Sequence, residues 1–481
     1  MTKKNIIFDL DSTFFKINVL HESIFRIISS KPSYILILIY SLFKGKLYLK
    51  NIVSNLTNNF DLKKSPVNKF LFKKLNCDYK NNNYYLVSGC SYLYKKKLKK
   101  IFPFFIDVFT STIKKNNTGV IKKKLLIKKF GNKNFTYYGD SFSDIPIWKA
   151  SKESYLVSRN YLKFKLIKLF VPNLKLVKSE DSLIYNILLL FRPIHWLKSL
   201  LIFFPLIFAD LNNFSFSLKF LVLNISVLII NSCAIYVFND LLDFDNDREF
   251  MNKKNRPIAS GALTVFESLF IFILLISISL LISLNFAVSS FLYLYLFGAI
   301  LYSLFLKKVF IVDMIALASL FIIRIIIGSD IFSVYLSNEF LLSSFILFFV
   351  IVIVKRLSEI RFINNSKLNS SDLKLAFKFY RRPYKSSILR FFLPLALFLH
   401  FLFISLASIH IHSITNYDYI YHFLNTKYLA ILIIYFWSFV FWIRIIRGLN
   451  IEDPMIFFAR DKCSIICFFL FVYLINIRYF Q

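Results

Sequence analysis

The stretch Val237–Ser260 reads VFNDLLDFDNDREFMNKKNRPIAS and carries five carboxylates, Asp240, Asp243, Asp245, Asp247 and Glu249, within ten residues. They stand out because the 481-residue chain has only 27 Asp and Glu against 61 Lys and Arg. Long apolar runs flank the cluster on both sides. If the preceding apolar helix continues through it, each residue advances by about 100°. With Asp240 as origin, Asp243 falls at about 300°, Asp247 at about 340° and Asn239 at about 260°, so the four share an arc of about 100°. Asp245 and Glu249, at about 140° and 180°, point the other way and are expected only to solvate the back of the helix. Like charges in a row repel unless a cation intervenes, and this spacing suits a hard divalent ion, typically Mg2+ shared with phosphate oxygens. The competing reading is a solvated helix end whose acids offset nearby lysines.

The apolar flanks set the class of protein. Hydrophobic content of 57%, with 59 Phe, far exceeds the soluble norm and predicts a membrane protein. The enrichment is uneven: the first 190 residues are rich in Lys and Asn with short apolar runs, and the long runs begin near residue 197. We therefore expect a soluble domain at 1–175, a linker at 176–191 and a membrane domain at 192–481. The net charge of +34 has no nucleic-acid-binding motif beside it, so no nucleic-acid partner is expected. It reads instead as facing an anionic lipid surface and anionic substrates. The five cysteines follow no zinc or disulfide spacing. The N-terminal MTKKNIIFDLDST reads as a short buried strand, not as a signal peptide.

Nine spans are predicted, at roughly 197–210, 218–238, 264–284, 288–306, 309–329, 340–356, 388–410, 427–446 and 463–480. Lys and Arg crowd the loops after spans two, four, six and eight: Arg248, Lys253, Lys254 and Arg256; Lys307 and Lys308; Lys355 through Arg390; Arg444 through Lys462. The alternate loops at 330–339 and 411–426 hold none. This asymmetry predicts an integral protein of the inner or plasma membrane, with a cytoplasmic N-terminal domain and an outer C-terminus.

NDLLDFDNDR resembles the first aspartate motif, NDxxDxxxD, of the UbiA family of intramembrane prenyltransferases. The likeness continues in FRPIHWLKS, NRPIASG, YSLFLKKVFIVDMIALASLFIIRIIIG, VKRLSEIR and EDPMIFFARDK. It implies an all-α bundle of about nine transmembrane helices with Mg2+ held by Asp240, Asp243 and Asp247, beside Asn239. Asp313 and Arg324, eleven residues apart, project within about 20° on a helix. An Arg in an apolar span normally has a partner or a substrate, and a pair with a neighbouring helix is the plainer alternative. Many members carry a second motif with two or three acids; here only Asp313 stands there, in YSxxLKxxxxxD. That pattern is similar to the decaprenyl-phosphate phosphoribosyltransferase branch, which implies a polyprenyl phosphate acceptor and a 5-phosphoribosyl diphosphate donor. Lys198, Lys307 and Arg324 would then complement phosphate charge, and the resemblance places Asn239 and Asp313 with them at the substrate. Ser199 departs from the Asn usual after that Lys in the branch.

Four further segments lie in the soluble half: IIFDLDSTF, YYLVSGC, TGVIK and FTYYGDSFSDIPIW. Three put polar residues at strand ends, where open α/β sheets bind ligands. Together they resemble the haloacid dehalogenase-like (HAD) phosphatases, implying an α/β Rossmannoid domain with a helical cap inserted at about 20–75. The resemblance makes Asp9 the nucleophile and Asp11 the acid and base, with Ser88 and Lys122 on the phosphoryl oxygens. Asp9, Asp11, Asp140 and Asp144 then serve Mg2+. Ser12 occupies a position where Gly is commonest. Within the cap, SYILILIYSLF (33–43) is too short to span a bilayer and either packs on the core or lies against the membrane.

The expectation is a Mg2+-dependent transferase acting on a polyprenyl lipid in the bilayer, with a phosphorylated sugar as donor and a fused phosphatase. The alternatives are transfer from a prenyl diphosphate donor to an aromatic acceptor, and a non-enzymatic lipid-phosphate transporter or scaffold.

Overall fold

Between residues 5 and 178, short β-branched and aromatic runs alternate with Lys-rich amphipathic segments, the pattern of successive βα units. The computed structural model describes residues 3–31, 33–57, 62–112, 115–178, 182–208, 217–249, 253–365, 389–414, 426–446 and 454–476. In it the runs form six strands: β1 (Asn5–Asp9), β2 (Asn83–Val87), β3 (Asp107–Phe109), β4 (Phe135–Gly139), β5 (Glu153–Ser158) and β6 (Leu174–Lys178). They make one parallel sheet of order β3-β2-β1-β4-β5-β6. The order reverses between β1 and β4, and the crevice at such a switch point is where open α/β sheets bind ligands. Alternation along β1 sends Ile6 and Phe8 into one core and Ile7 into the other. The sheet is thus covered on both faces, as the continuous apolar strands require.

The segment between β1 and β2 is the expected helical insert: α1 (Val19–Ser30), α2 (Tyr34–Phe43), α3 (Lys46–Leu56) and α4 (Lys69–Asp78). Asn18 caps α1 by accepting from the His21 amide, and Asn68 caps α4 by accepting from the amides of Phe70 and Leu71. Ile27 of α1, Leu38 of α2, and Leu49 and Val53 of α3 make a small core of their own.

Two compact units divide the chain: Met1–Leu190 with Asp240–Ile271, and Phe191–Asn239 with Phe272–Gln481. Among the described residues, eight helices are long and apolar enough to cross a membrane: Leu183–Ile207, Leu218–Asp247, Val265–Asn285, Phe291–Lys308, Val312–Phe332, Asn338–Arg361, Phe391–Ile409 and Tyr428–Ile445. Of the ninth, expected at 463–480, the apolar helix Lys462–Asn476 is seen, and the remainder lies outside the described residues. The first span is longer than expected, because Leu183–Phe191 is helical and a second helical segment, Pro193–Phe208, follows after a left-handed residue at Arg192 (φ 50°). The basic residues from Lys367 to Lys385 and most of the 411–426 loop lie outside the described residues.

Within the second unit, the helix Val312–Phe332 packs against Pro193–Phe208 and Asn338–Asn365. Gly328 permits the first contact: a methyl group built on it would overlap the Ile202 carbonyl. Small residues at crossings let membrane helices approach closely. Gly328→Ala should therefore lower the melting temperature of the detergent-solubilised protein by several degrees. Gly298→Ala, whose methyl would meet only the flexible Leu320 side chain at 3.4 Å, should barely change it.

Candidate active sites

In the N-terminal domain, β1 delivers Asp9 to the sheet's carboxyl edge and the chain then makes one wide turn. Ser12 sits in that turn at φ 54°, the left-handed region that costs a residue with a Cβ roughly 1 kcal/mol. This gives the usual Gly a physical reason. Gly139 ends β4, and a Cβ there would lie 2.6 Å from Asp144 Oδ2, so its bareness admits the carboxylate. Asp144 is fixed by the Tyr137 hydroxyl at 3.0 Å and by the amide and hydroxyl of Ser141. Asp9, Asp140 and Asp144 each bring a carboxylate oxygen within 4.8 Å of the others. Lys122, in the first turn of the helix Gly119–Phe130, donates to Asp9 Oδ1 at 2.7 Å and lies 3.7 Å from Asp144.

Burial pushes the Asp9 carboxyl up to about 7 against the pull of Lys122, with Asp144 and Asp11 adding to the rise. Asp140 is held well above the carboxylate range by burial, then by Asp9 and Asp144. Burial alone would lower the Lys122 ammonium, but Asp9 and Asp144 raise it. Three hard oxygen donors under this mutual repulsion, with a bare glycine making room, fit a Mg2+ ion.

Asp11, expected among the metal ligands, is not one of these three. It accepts from the Val19 amide at 2.8 Å and the Ser88 hydroxyl at 3.1 Å, two donors that hold it beside the cluster. Ser88 is fully buried; its hydroxyl goes to Asp11 and accepts from the Cys90 amide at 2.9 Å. Two residues the sequence did not single out, Asn18 and Lys50, line the same cavity of about 210 Å3. Lys50 comes from α3 and donates to the Gly89 carbonyl at 2.6 Å and to Asn116 at 3.0 Å. One lysine among so many in a chain this basic carries no signal that would mark it.

The helix Leu218–Asp247 does continue through the acid stretch. At about 45 Å it exceeds the ~30 Å hydrocarbon core, so its acidic end has length to spare. Asp240 and Asp247 come together, at 2% and 3% exposure, where Arg256 donates to them at 3.1 and 2.7 Å. Asp243 is half-buried one turn from each, and Asn239 is half-buried beside them in sequence. Arg256, read from the sequence only as a loop charge, ties Asp240 to Asp247, whereas the three aspartates do not bring their oxygens as close together as Asp9, Asp140 and Asp144 do.

The expected solvated back of the helix is corrected. Asp245 receives a forked pair of bonds from Arg26 of α1, and Glu249 pairs with Lys64. Arg248 donates to both Glu22 oxygens at 2.9 and 2.6 Å, with the two side chains 4% and 2% exposed. The back face meets α1, with Phe25 against Phe244 at 6.4 Å, so acids that a lone helix would leave to water gain cationic partners while Asp245 stays part-exposed. The NRPIASG loop packs there too: Gly261 (φ 73°) has the Lys16 and Pro66 side chains where a Cβ would stand, at 2.8 and 2.9 Å.

In the second unit Asp313 and Arg324 share a helix face but not a site, because eleven residues separate them by about 16 Å along the axis. Fully buried Asp313 accepts from the Tyr302 hydroxyl at 2.8 Å and from Arg356 at 2.7 and 2.9 Å. Arg356 and its partner Glu359 were unmarked as site residues, although VKRLSEIR contains both. Arg324 donates to the Tyr295 hydroxyl at 2.7 Å, the plainer alternative of an arginine held by the neighbouring helix. Lys307 is buried at 5% exposure, and Lys198 is half-buried beside the buried Ser199.

The model of the UbiA prenyltransferase family matches residues 199–471, more than half of the chain. The chain belongs to this family. A curated relative, the uncharacterized protein y4nM of Sinorhizobium fredii, is 28% identical over 338 residues, covering 68% of this UbiA-family chain. The chain spans 64% of that relative's length. Among solved structures, a UbiA homologue from Archaeoglobus fulgidus bound to GPP and Mg2+ matches 60% of this chain and 99% of its own, at 17% identity and a TM-score of 0.44. A HAD family hydrolase from Salmonella enterica serovar Typhi matches 36% of this chain and 67% of its own, at 16% identity and a TM-score of 0.28.

Two outcomes test these sites. Below about pH 7 a proton occupies Asp9, so Mg2+ must displace it, and affinity measured by calorimetry should fall up to about tenfold per pH unit. The folded-state value of Asp9 lies above its ordinary 3.8, so the metal-free domain should lose stability as pH rises from about 4 towards 7 and regain it with Mg2+. Separately, Glu22→Gln leaves the buried Arg248 with Asp245 at 3.6 Å in place of a forked carboxylate, which should cost roughly 1–3 kcal/mol in melting experiments. The exchange Glu22→Arg with Arg248→Glu should not recover that loss, because it sets like charges beside Arg26 and Asp245.

Proposed function

We propose that this UbiA-family chain transfers a phosphoribosyl group from 5-phosphoribosyl diphosphate to a polyprenyl phosphate, and that its HAD-like domain hydrolyses a phosphate monoester. The observation that carries the branch assignment is the engagement of Asp313. Both of its oxygens are taken by Arg356, and one also by Tyr302, so the only acid of the second segment acts as a structural anchor. A member that holds a prenyl diphosphate on two acid motifs needs that second set for metal. Here the acids suited to a metal-bound diphosphate are Asp240, Asp243 and Asp247, with Arg256 already fastened to two of them. Bound Mg2+ would supply charge neutralisation for the diphosphate. In the transfer, an oxygen of the lipid phosphate attacks the ribose anomeric carbon, the bond to the diphosphate breaks, and inorganic diphosphate leaves. Lys198, Lys307, Arg324 and Asn239 are assigned to substrate phosphates and hydroxyls on the family resemblance.

In the HAD-like domain, Asp9 attacks phosphorus and Lys122 offsets the negative charge of both partners. Asp11, oriented by Val19 and Ser88, gives its proton to the leaving oxygen and then takes one from the water that hydrolyses the aspartyl phosphate. The Lys and Arg asymmetry of the loops supports a cytoplasmic location for both sites.

Membranes carrying the full chain, given Mg2+, labelled phosphoribosyl diphosphate and polyprenyl phosphate, should form a labelled lipid. Asp243→Asn should reduce the rate at least a hundredfold. Product only from a polyprenyl diphosphate with an aromatic acid would overturn the phosphoribosyl reading, and product from neither mixture would support a non-enzymatic role.

A further inference from the structure

Helix α2, Tyr34–Phe43, reads YILILIYSLF and holds no charged residue. Only Leu38 and Ser41 are buried. Leu36 is 72% exposed and Phe43 87%, and Ile35, Ile37, Ile39, Tyr40 and Leu42 are exposed with them. Soluble surfaces rarely present so continuous an apolar patch unless something covers it. The patch is not a loose end: Leu38 locks α2 onto Ile27 of α1 and onto Leu49 and Val53 of α3.

Three observations identify the cover as lipid. First, the chain carries eight helices suited to crossing a membrane, so a bilayer is its permanent surroundings. Secondly, α2 is about 15 Å long, half of what crossing requires, so it can enter a leaflet only in its plane. Thirdly, the ends carry interfacial chemistry. The Lys44 ammonium lies over the Tyr40 and Tyr48 rings at 4.7 and 5.4 Å, and that of Lys31 over Tyr34 at 5.5 Å. Aromatic rings at headgroup level beside lysines that meet anionic lipid are the marks of an in-plane membrane helix.

We propose that α2 lies in the headgroup–acyl boundary of an anionic leaflet and holds the cap against the bilayer. The cap's next helix, α3, sends Lys50 into the cavity that contains Asp9. That cavity, about 210 Å3, is below the ~300–1,000 Å3 of sites that enclose a whole small molecule, so it takes a phosphoryl group and leaves the rest outside. The lipid-docked cap therefore selects a phosphate carried on a membrane lipid. The docking stands by itself, whereas this choice of substrate rests on the phosphatase reading above.

The test uses the full chain, one copy per nanodisc of mixed phosphatidylglycerol and phosphatidylcholine, in a Cys77→Ser, Cys463→Ser background. An environment-sensitive fluorophore is placed on Leu36→Cys, Phe43→Cys or, as a control, exposed Lys80→Cys. Positions 36 and 43 should be quenched by spin-labelled lipid and shielded from aqueous iodide, and position 80 should show the reverse. Iodide access at 36 and 43 overturns the docking, as does shielding that develops only when two copies share a disc. Leu36→Glu with Phe43→Glu should lower hydrolysis of a polyprenyl phosphate at least tenfold and leave p-nitrophenyl phosphate hydrolysis unchanged. Equal loss on both substrates, or on neither, overturns the lipid-substrate assignment. Failure of the unsubstituted protein to hydrolyse either would instead remove the phosphatase reading, with the quenching result still deciding the docking.

Discussion

Carboxylates withdrawn from water repel one another, and each place where this chain buries them is settled by a cation from elsewhere in the sequence. Lys122 reaches back over a hundred residues to Asp9, Arg256 folds back onto Asp240 and Asp247, and Arg356 crosses from the next helix to Asp313. Removing either partner leaves an uncompensated buried charge, which is far costlier than losing a surface pair. These three fastenings also sort the acids by use. The first leaves Asp9 grouped with Asp140 and Asp144 in the manner that a divalent cation favours, the second draws Asp240 to Asp247, and the third consumes its carboxylate in holding helices together.

The same rule ties the acid stretch to the N-terminal domain. Asp245, Arg248 and Glu249, on the side of the helix away from the proposed metal face, pair with Arg26, Glu22 and Lys64. Helix α1, which supplies Glu22 and Arg26, begins at Val19, whose amide holds Asp11. One twelve-residue helix thus meets both Asp11 and the back of the aspartate stretch. The aspartate stretch and the loop after it are accordingly part of the same compact unit as the six-stranded sheet.

Much of this was legible from local pattern. Strand periodicity, the positions of Asp9, Ser88 and Asp140 at strand ends, the apolar runs and the helical arc of Asp240, Asp243 and Asp247 depend on residues close in sequence. Ser12 was visible as a departure, although its cause, a left-handed backbone, was not. Residues that act by meeting a distant partner were illegible: Lys50, Arg256 and Arg356 are ordinary charges in a chain that has 61 Lys and Arg, and Glu22 stands in no motif.

Periodicity and charge balance are properties of neighbours, and they set the two-part architecture, the membrane class and the helix face that Asp240, Asp243 and Asp247 share. Pairing between remote charges depends on which surfaces fold together and exclude water. Only that folding together gave Asp245 and Glu249 partners in Arg26 and Lys64, took Asp313 for Arg356, and drew Arg324 to Tyr295. Among the described residues it also left most of α2 exposed.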